Sequence, residues 1–210
     1  FGVDNSTCGS NSAPCATASQ AFSLSSGVST TTVVFSGQTS YTGSGNCNLV
    51  VADAALILIS MGSSPVTFLC TATSWIAFYG SNVVISNIIV SNASNHALIS
   101  SNSSVVVTDS IFSFNTLQAS LTLTGETYFG GAAITLVSGS RMTLVSTSFL
   151  SNTIFATVSC SESATCLVVG GAVSVDSTSV LVSAHDCTFL NNSIQATGGS
   201  AVSGGLIRGG

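Results

Sequence analysis

Three stretches decide the fold: NHALISSNSSVVVTDSIFSFN at Asn95–Asn115, GAAITLVSGSRMTLVSTSFLSN at Gly131–Asn152 and GAVSVDSTSVLVSAHDCTFLNN at Gly171–Asn192. Each opens on small residues and a short aliphatic run, crosses a Ser/Gly/Asn/Thr turn and enters a second apolar run. Each closes with an aromatic three residues before an asparagine: Phe112 and Asn115, Phe149 and Asn152, Phe189 and Asn192. A weaker copy occupies Ser74–Asn92, with Ile89 in the aromatic place, and a fainter one starts near Asn48 as NLVVADAALILISMGSSPVTF.

A unit of this size cannot bury its apolar face alone, whereas stacked neighbours bury a continuous core. The runs are too short for helices and rich in Val, Ile, Thr and Phe. No stretch of helical period separates them, which argues against βαβ units. One coil per copy, stacked about 4.8 Å apart through main-chain hydrogen bonds, satisfies the pattern. The expectation is an all-β chain, a right-handed parallel β-helix with an N-terminal cap. Ile89, Phe112, Phe149 and Phe189 then form an internal column, and Asn92, Asn115, Asn152 and Asn192 an amide ladder at a turn. Extra residues between Asn115 and Gly130, between Asn152 and Gly170 and, more briefly, between Asn192 and Gly204 read as loops leaving one side of the solenoid.

Residues 1–47 stand outside the repeat. Ala16–Leu24 suits a short helix and Val33–Phe35 a first strand, together a cap over the coils of residues 48–210. Gly204-Gly205-Leu206 begins a further copy that is incomplete at Gly210. The expectation is that the sequence is a fragment or that the missing coil is supplied by something else.

The composition narrows the function. Charged residues make up 4% of the 210, and the two basic ones are Arg141 and Arg208, against roughly 25% charged in a typical domain. Such a chain cannot neutralise phosphates, which excludes nucleic acid and an anionic membrane surface as partners. Hydrophobic residues reach 45%, too many for disorder. The longest apolar run, Ala54–Met61, falls well short of the ~20 residues of a membrane span.

The pairing of Gly130-Gly131-Ala132 and Gly170-Gly171-Ala172 with FSFN, FLSN and FLNN resembles the polymorphic outer-membrane-protein repeat of the pectin-lyase-like β-helix superfamily. Gly204-Gly205 fits that motif in part. The N-terminal CGSNSAPCATASQAF is similar to the opening segment of β-helices in secreted proteins of eukaryotic microbes. The resemblance spans nearly the whole chain and implies secretion, surface display and an adhesive or structural use, with no ligand specified.

Seven cysteines without a CxxC spacing, beside two histidines, favour disulfides over zinc and point to an oxidising compartment. Cys8 with Cys15 closes the opening loop, Cys160 with Cys166 a surface loop, and Cys47 with Cys70, about one coil apart, bridges adjacent turns. Cys187 is left over, either a buried thiol or an intermolecular partner. Sequons stand at Asn5, Asn92, Asn102 and Asn191. Asn5 and Asn102 are expected on the surface; Asn92, as a ladder member, is expected to turn inward; Asn191 neighbours the ladder.

One constellation resembles a catalytic site. Asp109 and Asp186 share a column with Ser146 between them and His185 adjacent, about 10 Å apart across two coils, near the upper end for an inverting pair of carboxylates. The same residues also suit a tight turn. His96 reads as a turn residue, and Trp75 with Tyr79 as core or rim residues or a sugar-stacking platform. The reading that follows is a non-catalytic extracellular structural protein, without cofactor or metal. It is a glycosylated fibre subunit that self-associates head to tail. The alternative is the repeat region of a surface adhesin binding glycan or protein, and a polysaccharide hydrolase or lyase is the remote one.

Overall fold

A computed structural model describes residues 5–10, 12–25, 30–35, 40–123, 127–160, 166–197 and 201–203. It is a parallel β-helix. The chain opens with helix α1 (Ala18–Ser25), where Thr17 caps the first turn by accepting the Gln20 N–H at 3.2 Å. Ala18 is buried, and Ala21 and Phe22 lean on the core.

The coils follow in chain order. The first holds β1 (Thr31–Phe35) and β2 (Ser40–Thr42). The second holds β3 (Leu49–Ala52), β4 (Ala55–Ser60) and β5 (Val66–Leu69). The third holds β6 (Ile76–Tyr79), β7 (Asn82–Ser86) and β8 (Ile88–Ser91). The fourth runs through β9 (Leu98–Ser101), β10 (Ser104–Thr108) and β11 (Ile111–Ser113), then adds β12 (Thr116–Leu123) and β13 (Thr127–Gly130). The fifth repeats that plan as β14 (Ile134–Val137), β15 (Arg141–Val145), β16 (Ser148–Leu150), β17 (Thr153–Cys160) and β18 (Cys166–Val169). The sixth repeats it as β19 (Val173–Val175), β20 (Val180–His185), β21 (Thr188–Leu190), β22 (Ser193–Thr197) and β23 (Ala201–Ser203).

Equivalent strands pair in parallel from coil to coil. They build a five-stranded sheet β3-β6-β9-β14-β19, a six-stranded sheet β1-β4-β7-β10-β15-β20 and a six-stranded sheet β2-β5-β8-β11-β16-β21. The segment before residue 48 thus already supplies two paired strands, Thr31 opposite Leu56 and Ser40 opposite Thr67. Alternate residues of every strand point inward. Leu56, Val83, Val105 and Met142 stack in one buried column, and Leu49, Ile76, Leu98, Ile134 and Val173 in another.

The segments expected to be loops are strands. β12-β17-β22 and β13-β18-β23 form two further three-stranded parallel sheets. Leu117, Ile154, Ala156 and Val168 are buried between them. The result is a fin with its own small core on one corner of the helix, and it persists because the arms of successive coils pair with one another.

Two register readings change. In the third coil Phe112 lies opposite Val90, while Ile89 pairs with Ile111. The aromatic column is therefore Tyr41, Phe68, Val90, Phe112, Phe149 and Phe189. Its rings stack at 5.2 Å for Tyr41–Phe68, 5.5 Å for Phe112–Phe149 and 4.8 Å for Phe149–Phe189. Uninterrupted coils repeat every 22 residues, so Ala93 takes the place opposite Asn115 and Asn92 falls one residue short of the ladder. In the sixth coil β20 carries a bulge, Met142 pairing with Leu181 and Thr143 with Ser183. That one extra residue shifts the glycine motif against the phenylalanine anchors, so Gly131 lies on Gly170 rather than Gly171 (Gly131 N–H to Gly170 O, 2.9 Å). Both are left-handed, φ 77° and 63°, and a Cβ at either would run into the carbonyl oxygen of Ile134 or Val173.

Candidate functional site

The polar residues of the coils gather at three corners, each built around one left-handed residue per coil. The first column of such residues is Asp53, Gly80, Asn102 and Ser138, the second Asn87, Asp109, Ser146 and Asp186, and the third Asn92, Phe114, Ser151 and Asn191, all with φ between 48° and 59°. Asn, Asp and Gly dominate because a left-handed conformation costs other L-residues about 1–2 kcal/mol.

A residue just after the left-handed one turns inward and knits the coils, directly after it in most cases and one place later at Ser140, past Gly139. At the first corner Ser81, Ser103, Ser140 and Ser179 are buried. Each of the last three accepts the N–H of its predecessor, at 3.0, 3.3 and 3.0 Å. At the second corner Ser110 and Thr147 donate to the carbonyl two residues back, 2.7 Å to Thr108 and 3.0 Å to Val145. Cys187 does the same to His185 at 3.4 Å. Its thiol is free and leans on the core, a sulfur standing where the preceding coils have hydroxyls.

At the third corner the amide ladder runs from Asn115 through Asn152 to Asn192. Asn115 Nδ2 donates to Asn152 Oδ1 at 2.9 Å, and Asn152 Nδ2 to Asn192 Oδ1 at 2.8 Å. The same oxygens accept backbone N–H groups, Asn115 at 3.2 Å and Asn152 at 3.0 Å. The second N–H of Asn152 reaches the Phe112 carbonyl at 3.0 Å, and that of Asn192 the Phe149 carbonyl at 2.9 Å. Ala93 ends the ladder, its N–H donating to Asn115 Oδ1 at 3.0 Å.

Asp109, Ser146 and Asp186 share a column as expected, and all three are exposed left-handed corner residues. Asp186 pairs with His185 at 2.9 Å, both side chains at least 70% exposed, where solvent screens the interaction. The geometry assigns this column a turn role. Among the described residues the carboxylate with most hydrogen bonds is a different one, Asp176. It accepts the Ser138 N–H at 2.8 Å and, from Thr178, the N–H at 3.0 Å and the hydroxyl at 2.9 Å. Partial burial acts to raise its pKa, but hydrogen bonds from Ser138, Ser179 and Thr178 outweigh it and the carboxyl titrates below its ordinary range.

His96 is a satisfied side chain rather than a solvated one. Its Nδ1 lies 3.0 Å from the Gly131 carbonyl and 2.7 Å from the Thr135 hydroxyl, and burial pushes its pKa down against the opposing pull of the Gly131 hydrogen bond. Trp75 is fully buried against Phe68, ring centroids 5.1 Å apart, while Tyr79 is 43% exposed at the end of β6. The two make no common platform.

Asn5, Asn92, Asn102 and Asn191 are all exposed. The inward turn expected of Asn92 does not occur, since it is the outward left-handed residue of its corner. Asn5 Oδ1 accepts the Thr7 N–H and hydroxyl, each at 2.9 Å. Disulfides join Cys8 to Cys15 and Cys47 to Cys70. The side chains of Cys160 and Cys166 lie outside the described residues, as do Gly204–Gly210 and Arg208. Among the described residues no helix is long and apolar enough to cross a membrane.

The fin carries an exposed strip of polar residues and one aromatic that the sequence reading does not anticipate. On the outer face of β12-β17-β22, Gln118, Phe155 and Gln195 form one column and Ser120, Thr157 and Thr197 the next. They line a shallow groove of about 530 Å³. Compared with known proteins, the chain matches no family model, no curated protein and no solved structure.

Proposed function

We propose that the chain is a non-catalytic structural section of an extracellular fibre or surface coat, built from β-helical rods that associate with copies of themselves. The observation that carries this reading is the outer face of the β1-β4-β7-β10-β15-β20 sheet. Its two central columns run Thr32, Ile57, Val84, Val106, Thr143 and Ser183 beside Val34, Ile59, Ser86, Thr108, Val145 and His185, with the exposed Arg141 next to them at the start of β15. Val34 is 44% and Val84 38% exposed. A face rich in β-branched residues, with Arg141 its one Lys, Arg, Asp or Glu, is suited to packing sheet on sheet.

Its size sets the mode of assembly. Strands of five residues, six deep, span roughly 17 by 29 Å or about 500 Å², below the ~800 Å² per partner of a standard stable interface. A single pair is therefore weak, and the reading requires many rods acting together. Two rod-internal disulfides and exposed sequons support an oxidising, N-glycosylating route. The motif resemblance to polymorphic outer-membrane-protein repeats accords with surface display. The test is electron microscopy of native, unboiled material labelled with antibody to this chain, beside the Val84→Lys variant. Labelled filaments or sheets that the lysine disperses are expected. Isolated rods in the native material overturn the assembly reading.

The fin favours a second reading, an adhesin section. Its exposed strip contributes nothing to the stacking of the main coils, and it places an aromatic and two amides in an open groove.

A further inference from the structure

We propose that the outer strip of the fin binds an uncharged polysaccharide chain, with Phe155 as the stacking platform and Gln118 and Gln195 as the hydrogen-bonding groups on either side of it. This rests on the adhesin reading of the fin and names its ligand class.

The fin's own core does not need Phe155. Its neighbours Ile154 and Ala156 are 0% and 4% exposed and fill the space between the two sheets, whereas Phe155 is 40% exposed on the opposite face. In the strands above and below, the equivalent positions are Gln118 and Gln195, both exposed. Coil spacing puts each amide about 4.8 Å from the ring's own strand. The second column, Ser120, Thr157 and Thr197, is also exposed, with the Thr157 and Thr197 hydroxyls 3.5 Å apart.

The donor and acceptor inventory selects the ligand. Amides and hydroxyls each donate and accept, which matches a ligand whose own groups are hydroxyls that do both. The ring offers an apolar face to the C–H face of a pyranose. No charged side chain lines the groove, so a uronate or sulfated chain would lose hydration without gaining a counter-charge. A protein partner would find one aromatic amid polar groups, without the buried anchor cluster that protein interfaces use. A neutral sugar chain laid along the stacking direction meets an amide, a ring and an amide in turn. Because no ion pair takes part, binding is expected to be insensitive to salt.

The experiment is calorimetric titration of the folded chain with linear oligosaccharides of neutral hexose and of N-acetylhexosamine, beside uronate and sulfated oligosaccharides. It is repeated with Phe155→Ala, with Gln118→Ala/Gln195→Ala and with Val84→Lys on the other face. Neutral oligosaccharide binding is expected, unchanged by salt. It should weaken at least tenfold in Phe155→Ala and several-fold in the double glutamine variant, and stay intact in Val84→Lys. The thermal midpoint of each strip variant should stay within a few degrees of the parent, since Gln118 and Gln195 are exposed and Phe155 lies outside the fin's core. Binding of charged chains alone overturns the neutral class and leaves the fin a recognition surface. Neutral binding that survives Phe155→Ala overturns the strip. No glycan binding at all overturns the proposal together with the glycan-adhesin reading beneath it.

Discussion

Replacing Asn152 tests the amide ladder most directly, because every hydrogen-bonding capacity of that side chain is in use. Its oxygen accepts the Asn115 N–H and Nδ2, and its nitrogen donates to Asn192 Oδ1 and the Phe112 carbonyl. Asn152 is 0% exposed. Alanine there strands two buried donors, the Asn115 N–H and one proton of its Nδ2, and takes the side-chain donor from the Phe112 carbonyl. Asn192 Oδ1 keeps the Asn152 backbone donor. At about 1–3 kcal/mol for each unsatisfied group, partly relieved by water entering the vacated space, Asn152→Ala is expected to cost about 3–5 kcal/mol. In a domain of this size each kcal/mol moves the thermal midpoint by roughly 2–4 °C, so the drop is of order 10 °C.

Asn152→Asp sharpens the test. Its carboxylate faces two acceptors, the Phe112 carbonyl and Asn192 Oδ1, and burial raises its pKa in the folded state. Its excess penalty over alanine should therefore be absent below about pH 3.9 and grow as pH rises from there to the raised folded-state pKa. Asn92→Gly is the control. That residue is exposed with φ 58°, which glycine adopts freely, and the gain is offset by the looser unfolded chain, so the net change stays within about 1 kcal/mol. The assay is thermal unfolding followed by circular dichroism over a pH series. An Asn152→Ala midpoint within 2–3 °C of the parent would refute the ladder's role (about 1 kcal/mol by the same conversion). Equal damage from Asn92→Gly would refute the register.

Three further outcomes follow from the structure. Cys47→Ala/Cys70→Ala removes a bridge across 23 residues and should cost about 3 kcal/mol. Cys8→Ala/Cys15→Ala, across 7 residues, should cost less, as denaturant midpoints will show. Because burial depresses the His96 pKa, the folded protein resists a proton that the unfolded chain accepts at about pH 6.5. Stability is full above that value and falls as pH drops below it, whereas the Asp176 contribution is lost only below about pH 3.9. His96→Gln should flatten the slope between those two windows, and an unchanged slope there would rule His96 out as its source. Enzymatic removal of N-glycans from native protein in heavy-oxygen water should mark Asn92 as well as Asn102 and Asn191; an unmarked Asn92 peptide would contradict its outward placement as an acceptor.

The strands, the disulfides of the N-terminal half and the lower ladder were legible because each rests on a local signal repeated in order: β-branched runs, cysteine spacing, and an aromatic three residues before an asparagine. The register of the third coil was not. Ile88-Ile89-Val90 offers three interchangeable apolar residues, and Asn92 mimics a ladder asparagine while Ala93 occupies the true position. The buried column Ser81, Ser103, Ser140 and Ser179 was hidden by the abundance of exposed serines around it. The fin did carry a signal. TLQAS, TIFAT and SIQAT each place a branched aliphatic second and alanine fourth, an alternation that buries Leu117, Ile154 and Ala156 while aiming Gln118, Phe155 and Gln195 outward. No earlier coil contains it, so comparison between copies does not reveal it as strand.

The corners show why reactive residue types mislead in this architecture. A β-helix needs a left-handed residue at each turn, and the residues that tolerate it, Asn and Asp, are the ones that also serve as catalysts and ligands. Asp109 and Asp186 stack in a column for that backbone reason, so their alignment carries little weight as a sign of catalysis. Gln118, Phe155 and Gln195 lie within strands, where any residue tolerates the backbone, and on the face away from the fin's core. An aromatic there is what the proposed glycan strip requires, and Phe155→Ala is the substitution that tests it.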